Sequence, residues 1–476
     1  MKDKKTPYFL ALAPILLLII LLAYNVFLYA DDSLAGANQL ALIYAGVCAA
    51  IVGLIYGTDW SVIQKSILKN VKDSSLILLL ILLIGSLSGT WLISGIIPAM
   101  MYYGLKLLSP DVFLVACCII CAIVSLATGS SWSTIATVGI ALLGIGQALG
   151  FSTGMIGGAV ISGAYFGDKM SPMSDTTNVA AAVAETDLFT HIRYMMLTTV
   201  PSFLITLVLF LFIGFSVDMQ EMQNVNTLLE VLDNNFNINI WLFLVPAILI
   251  FLIVKKVAAL PSLVIASLLG ALFAVIFQPD IITALSAESH FSFKGSYMAI
   301  IQAMATDVEI QTDNMLINEI LTTGGMYGML NTVWLIICAM VFSGAMQGAG
   351  LLKRITEPII RHAQSTGSMI ATTAGTCVFF NVATSDQYLA IVVPGRMFAN
   401  TYKEKGLSPA NLSRTLEDAG TVTSVLIPWN TCGATQSAVL GVATFAYLPY
   451  CFFNIISPFM TIAYAYLGVK IKHLKQ

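Results

Sequence analysis

Apolar runs of about twenty residues recur along this chain, and only short polar stretches separate them. Backbone N–H and C=O groups in lipid must bond within their own segment, so each run predicts a membrane-crossing helix. Starts are expected near Tyr8, Ala37, Ser75, Asp111, Ser131, Ser152, Tyr194, Ile238, Ala258, Tyr327, Gly367, Tyr388, Ser413, Thr431 and Tyr447. Several runs are cut short by Gly, Pro or polar residues, which leaves the helix count open. The first run, Tyr8 to Leu28, follows a charged Met1-Lys-Asp-Lys-Lys5 start. It is long enough to span and has no small-x-small cleavage site, so it is expected to remain as a helix.

Four polar interruptions stand out, in two corresponding pairs. The first pair is Thr128-Gly-Ser-Ser-Trp-Ser-Thr134 and Asn381-Val-Ala-Thr-Ser-Asp-Gln387. The second is Gly167-Asp-Lys-Met-Ser-Pro-Met-Ser-Asp-Thr-Thr-Asn178 and Ser424-Val-Leu-Ile-Pro-Trp-Asn-Thr431. Sliding the chain along itself matches Ser88-Gly89 with Ser343-Gly344 at a shift of 255. Ala127-Thr128 matches Ala383-Thr384, and Pro172 matches Pro428, at a shift of 256. The near-constant shift predicts an internal repeat.

Loop charges orient the copies. Lys and Arg gather at Lys4–Lys5, Lys65–Lys72, His191–Arg193, Lys255–Lys256, Lys353–Arg361, Lys403–Arg414 and Lys470–Lys475. Asp218 to Asn237 holds four carboxylates without Lys or Arg, and Gln278 to Gly325 holds six with one Lys. The positive-inside rule places both termini in the cytoplasm and Gln278–Gly325 outside, as a surface-lying linker. The helix from Ser75 then runs outward and its counterpart from Tyr327 runs inward. The expected fold is an all-α polytopic membrane protein with two inverted-topology repeats, built on broken helices or re-entrant hairpins. Its parts are N-terminal helices 1–74, a first repeat 75–216, connecting helices and acidic linker 217–326, and an inverted second repeat 327–476.

Composition agrees. The chain is 58% hydrophobic, 10% charged and has a mean hydropathy of +0.88, whereas soluble domains carry roughly a quarter charged residues. The cytoplasmic membrane is the expected location. The net charge of −3 carries no information on partners, and no basic patch with interleaved aromatics points to nucleic acid. Cys117, Cys118 and Cys121 lie in an apolar run without His or carboxylate and read as small buried hydrophobes. His191, His290, His362 and His473 all lie near loops and no H-E-x-x-H motif occurs, so an enzyme is not expected.

The interruptions carry the chemistry. Unwound backbone at membrane depth persists only where protein buries it or it lines a cavity, and it offers carbonyl oxygens to a hard cation. Asp168, Asp175 and Asp386 are the informative charges, because a carboxylate within a span is costly unless solvated, paired or protonated. Such a group binds either a proton or a cation, which is the minimal chemistry of antiport. Structural alternatives stand beside this. Asp168 could pair with Lys169 in a turn. Ser171 could cap a helix opening at Pro172, with Asp175 in its first turn. Asp386 could be structural, and Thr128, Ser130 and Ser131 could be packing residues. Glu185, Asp187, His191 and Arg193 read as a solvated face or gate. Glu417-Asp418 following Arg414 read as a salt bridge.

The run Phe166–Asn178, with Ala127–Thr134 and Leu426–Thr431, resembles the signature of NhaC-type sodium/proton antiporters of the wider ion-transporter superfamily. The resemblance extends from about Ser75 to the C-terminus. It implies sodium efflux driven by proton entry, and it marks Asp168, Ser171, Ser174, Asp175, Thr176 and Thr177 as site residues. The residue reading adds Asn178, Thr128, Ser130 and Ser131, and from the second copy Thr384, Asp386, Asn430 and Thr431. Asp175 and Asp168 are the expected ligands of transported sodium. The same family includes exchangers of organic acids, so coupled transport of a small organic acid or amino acid is the alternative. It draws on the helix N-termini as anion anchors, with Lys169, Asn178 and Asn430 as partners. Sodium, protons and the bilayer are the expected partners and no cofactor is expected. A small organic solute and a homodimer stay open.

Overall fold

A computed structural model describes residues 6–29, 33, 35–216, 223–286, 288, 290–312, 318, 321–361 and 365–474. Lys4, Lys5, Lys475, His362 and the Asp218 end of the acidic stretch lie outside the described residues. The chain is an all-α polytopic membrane protein. Among the described residues, eight helices are long and apolar enough to cross a membrane, or ten if each of two bent pairs is one span. The apolar runs become the helices Tyr8–Tyr29, Ala37–Ile55, Ser75–Ile93, Pro110–Thr128, Ser131–Ala148, Thr153–Met170 and Ala259–Phe277. The helix expected near Tyr194 begins earlier, as Leu188–Ser216. The side chain of Asp187 accepts from the Thr190 N–H at 2.9 Å and so starts that helix.

Element bounds recur at a near-constant offset. Ser75–Ile93 and Leu330–Gly348 differ by 255 at both ends. Pro110–Thr128 and Thr366–Thr384 differ by 256 at both ends. Starts at Thr153 and Pro409, and at Asp175 and Thr431, also differ by 256. Backbone conformation follows the same register. Gly129 and Ser385 both take left-handed φ, at 71° and 57°. The next residues, Ser130 and Asp386, are both extended helix caps. Ser174 and Asn430 are extended caps as well, with ψ of 132° and 145°.

Three expectations change. The first short helix opens at Asp175, not at Pro172, while the second opens at Thr431 as expected. Ser171 forms a local turn with the Met173 N–H at 3.2 Å, while Ser174 takes the cap. The described part of Gln278–Gly325 contains the helices Pro279–Ser286 and Phe293–Ala305 rather than a plain surface-lying linker. Its helix Phe293–Ala305 packs on Ser75–Ile93, where the Ser86 hydroxyl donates to the Met304 carbonyl at 2.9 Å. Lys65, Lys69 and Lys72 lie on a helix, Trp60–Asp73, which continues into the Ser75 helix as one stretch of 34 residues.

Small residues set the contact that positions the site. Pro110–Thr128 and Thr153–Met170 meet at backbone distance, and the Ser125 hydroxyl donates to the Ala164 carbonyl at 2.6 Å. A Cβ on Gly163 would fall 2.0 Å from the Cys118 carbonyl oxygen, and one on Gly167 would fall 2.2 Å from that of Ala122. Such approach between membrane helices requires small side chains. Cys117, Cys118 and Cys121 are buried in this contact. It carries Asp168, next to Gly167, against the end of the Pro110 helix.

Candidate functional site

The Pro110 helix ends at Thr128 because Gly129 turns left-handed, a conformation that glycine adopts at little cost. Ser130 then caps the next helix, accepting from the Ser133 N–H at 3.2 Å. Ser131, now exposing an unsatisfied helix N–H, turns it toward Asp168. Its N–H and hydroxyl both donate to Asp168 Oδ2, at 3.1 and 2.6 Å. These bonds favour the ionised carboxylate. Asp168 is therefore held by Ser131 and not by Lys169. The two breaks of this half also touch directly, since a Cβ on Gly129 would fall 2.7 Å from that of Met173.

The second break supplies a set of oxygens. The Ser174 hydroxyl lies 3.1 Å from that of Thr176. The Thr177 hydroxyl donates to the Lys169 carbonyl at 3.0 Å, and the Asn178 amide donates to Pro172 and Ser174 carbonyls at 3.0 and 2.7 Å. Thr128 lies 3.5 Å from Thr134, oxygen to oxygen. Ser174 and the Asp175 charge also act on Asp168. Asp168 is buried, whereas Asp175 is exposed in the first turn of its helix. Ser131, Asp168, Ser171, Ser174, Thr176 and Thr177 are thus brought into one region.

The residues of the other copy form a second cluster. Asp386 Oδ1 accepts from the Leu389 N–H at 2.8 Å, and Thr384 donates to the Phe380 carbonyl at 2.7 Å. Asn430 caps its helix through Cys432 at 3.0 Å and donates to the Asn381 carbonyl at 3.1 Å. The Thr431 N–H reaches the Ser385 carbonyl at 2.9 Å, which joins the two breaks of this half. Asn381 and Gln387 hold the cluster to the neighbouring helix, donating to the Gly420 and Thr421 carbonyls at 2.7 and 3.0 Å. Both lie in a recognised interruption, and their amides were the signal.

Residues 163–469 match the family model described as the Na+/H+ antiporter family. The chain belongs to this family. It is 37% identical to the Na(+)/H(+) antiporter NhaC of Alkalihalophilus pseudofirmus, over 91% of each chain. It is 34% identical to the malate-2H(+)/Na(+)-lactate antiporter of Bacillus subtilis, over 100% of this chain and 98% of that one. It is 35% identical to the Na(+)/H(+) antiporter NhaC of Bacillus subtilis, over 89% and 91% of the two chains.

In this antiporter-family chain Lys169 points away from the breaks. Its ammonium pairs with Asp418, and both side chains are fully buried. The Ser457 hydroxyl lies 3.1 Å from the ammonium, and the Thr198 hydroxyl donates to the second Asp418 oxygen at 2.8 Å. Arg414, expected beside Asp418 in a basic loop, is itself fully buried and does not bond to it. His191, expected on a solvated face, is also fully buried. Glu185 stays exposed and pairs with Lys403 at 2.7 Å. Asp187, outside the spans, is held below the usual aspartate value chiefly by the Thr190 N–H.

Proposed function

We propose that this chain exchanges sodium for protons across the cytoplasmic membrane by alternating access. The observation that carries this reading is Asp168, a buried carboxylate fixed by Ser131 where two broken helices meet. Asp168 and Asp175 act as sodium ligands, with neutral oxygens from Ser130, Ser131, Ser171, Ser174, Thr176 and Thr177. Asp386, Asn430 and Thr431 hold the corresponding break of the second copy. The recurrent element bounds support two repeats, and the alternation of basic and acidic loops supports their inversion, with both termini in the cytoplasm. The relatives named sodium/proton antiporters support the same exchange.

The test uses everted membrane vesicles with an internal pH dye and an acid interior. Sodium alone is expected to collapse the gradient, and Asp175→Asn to abolish the response while leaving the protein inserted. Unchanged exchange in that variant removes Asp175 from the site.

A second reading is coupled transport of a small organic acid. The relative named a malate/lactate exchanger favours it. So does a cavity of about 630 Å³ beside the second copy's break, whose lining includes Asn38, Thr153, Asn331, Pro428 and Ser437. That volume is far larger than one ion requires. Vesicles silent to sodium but responsive once malate or lactate is added would establish this reading instead.

A further inference from the structure

Among the described residues, five Lys, Arg, His, Asp or Glu side chains that the sodium site does not use are fully buried: Lys169, His191, Arg414, Glu417 and Asp418. Such residues are almost never fully buried unless paired. Lys169 and Asp418 satisfy each other. The remaining three do not follow. Among the described residues, neither Glu417 oxygen is within hydrogen-bond distance of a donor, nor has either His191 ring nitrogen or any Arg414 guanidinium nitrogen a partner. Arg414 instead lies over the Tyr194 ring, 4.7 Å from its centre.

Glu417 sits in a π-helical turn, Leu416–Thr421, whose Thr421 hydroxyl is the neighbouring donor that bears on its carboxyl. The charges acting on it are Lys169, Asp168 and Asp418. The elements packed around its turn also carry Asp175, Cys377, Tyr388, Arg396, Tyr402, Lys403, Glu404, Arg414, Tyr464 and Tyr466. The helix Asp175–Val183 packs on this turn, and Asp418 is the next residue, so Glu417 lies close both to the second break of the sodium site and to the Lys169–Asp418 pair. Its hydrogen bonding differs from that of Asp168, although both carboxyls are buried. Two donors from Ser131 offset part of the cost of an anion at Asp168, whereas Glu417 has at most the neighbouring Thr421 hydroxyl to do so and is less costly neutral than ionised.

We propose that Glu417 carries the exchanged proton, at a site separate from the oxygens that hold sodium. This rests on the sodium/proton reading above. The Glu417 carboxylate takes a proton from water on one face, becomes the neutral acid, and returns the proton to water on the other; no other bond changes. Anions at Asp168 and Glu417 repel each other, so sodium at Asp168 releases the Glu417 proton and sodium departure draws one back. The two ligands exclude each other through charge, and the coupling is reciprocal. On the helix Leu188–Ser216, the Tyr194 hydroxyl contacts Asn411 and the Lys470 carbonyl, both at 2.5 Å.

The test compares wild type, Glu417→Gln and Glu417→Asp in proteoliposomes. One assay measures radioactive sodium self-exchange at equal sodium and pH on both sides. The other measures sodium-driven pH change. Glu417→Gln is expected to keep self-exchange within about twofold while the pH change falls at least tenfold. Its apparent sodium affinity should lose most of its pH dependence, and Glu417→Asp should recover much of the pH change. Sodium-driven pH change at the wild-type rate in Glu417→Gln overturns the proposal. So does loss of both activities in Glu417→Gln, or failure of Glu417→Asp to recover. A wild type that moves no protons on sodium addition overturns the underlying reading, and that arm reports it separately.

Discussion

Ser131 gives Asp168 two hydrogen bonds to the same oxygen, one from its backbone at 3.1 Å and one from its hydroxyl at 2.6 Å. The pair works because a helix starts at Ser131, so its N–H has no partner within that helix. A helix start and a carboxylate from another helix satisfy each other.

Ser131→Ala removes the hydroxyl bond and leaves the backbone bond. A hydrogen bond to a charged group contributes roughly 1.5–3 kcal/mol. The variant is expected to insert normally and to need about tenfold more sodium for half-maximal response. A sodium titration of the vesicle pH signal checks this, and an unchanged midpoint would show that the hydroxyl does not position the carboxylate.

Lys169→Ala strands Asp418 in the interior. Breaking one side of a buried pair costs on the order of 3–5 kcal/mol. A loss of thermal stability in detergent by many degrees is expected. The double variant Lys169→Met with Asp418→Leu should recover most of it, because no charge is then left unpaired. Equal melting of the single and double variants would contradict this.

Asp386 accepts the Leu389 N–H, and asparagine fills that cap as well as aspartate does. Asp386→Asn should therefore keep exchange within about twofold of wild type. Asp386→Ala should lower stability by about 1 kcal/mol. Loss of exchange in a well-folded Asp386→Asn protein would instead require its charge in the transport site.

Gly167→Ala would place a methyl 2.2 Å from the Ala122 carbonyl oxygen. Overpacking of this kind costs roughly 1–3 kcal/mol, and it would also shift Asp168 relative to Ser131. Gly375→Ala, in the Thr366–Thr384 helix, meets nothing within 4 Å and serves as the control. The first variant should lower both thermal stability and exchange, and the second neither.

Much of the site could be read in advance. Thr128–Thr134, Gly167–Asn178, Asn381–Gln387 and Ser424–Thr431 interrupt apolar runs, and a polar break in a membrane helix is visible in composition alone. The displaced helix starts show the limit. Ser171 and Ser174 are both serines able to cap, three residues apart, and only the packed chain selects Ser174. Lys169 has an aspartate next to it in sequence yet pairs with one 249 residues away.

By itself the sequence determined that this is an all-helical membrane protein, where its helices break, and which family it belongs to. Those properties rest on hydropathy, on local backbone chemistry and on short motifs. The tertiary structure alone decided which helix start meets Asp168, that Lys169 belongs to Asp418, and that His191, Arg414 and Glu417 are buried. These outcomes depend on helices distant in sequence packing through glycine and serine faces. Local periodicity does not encode which charge such packing encloses.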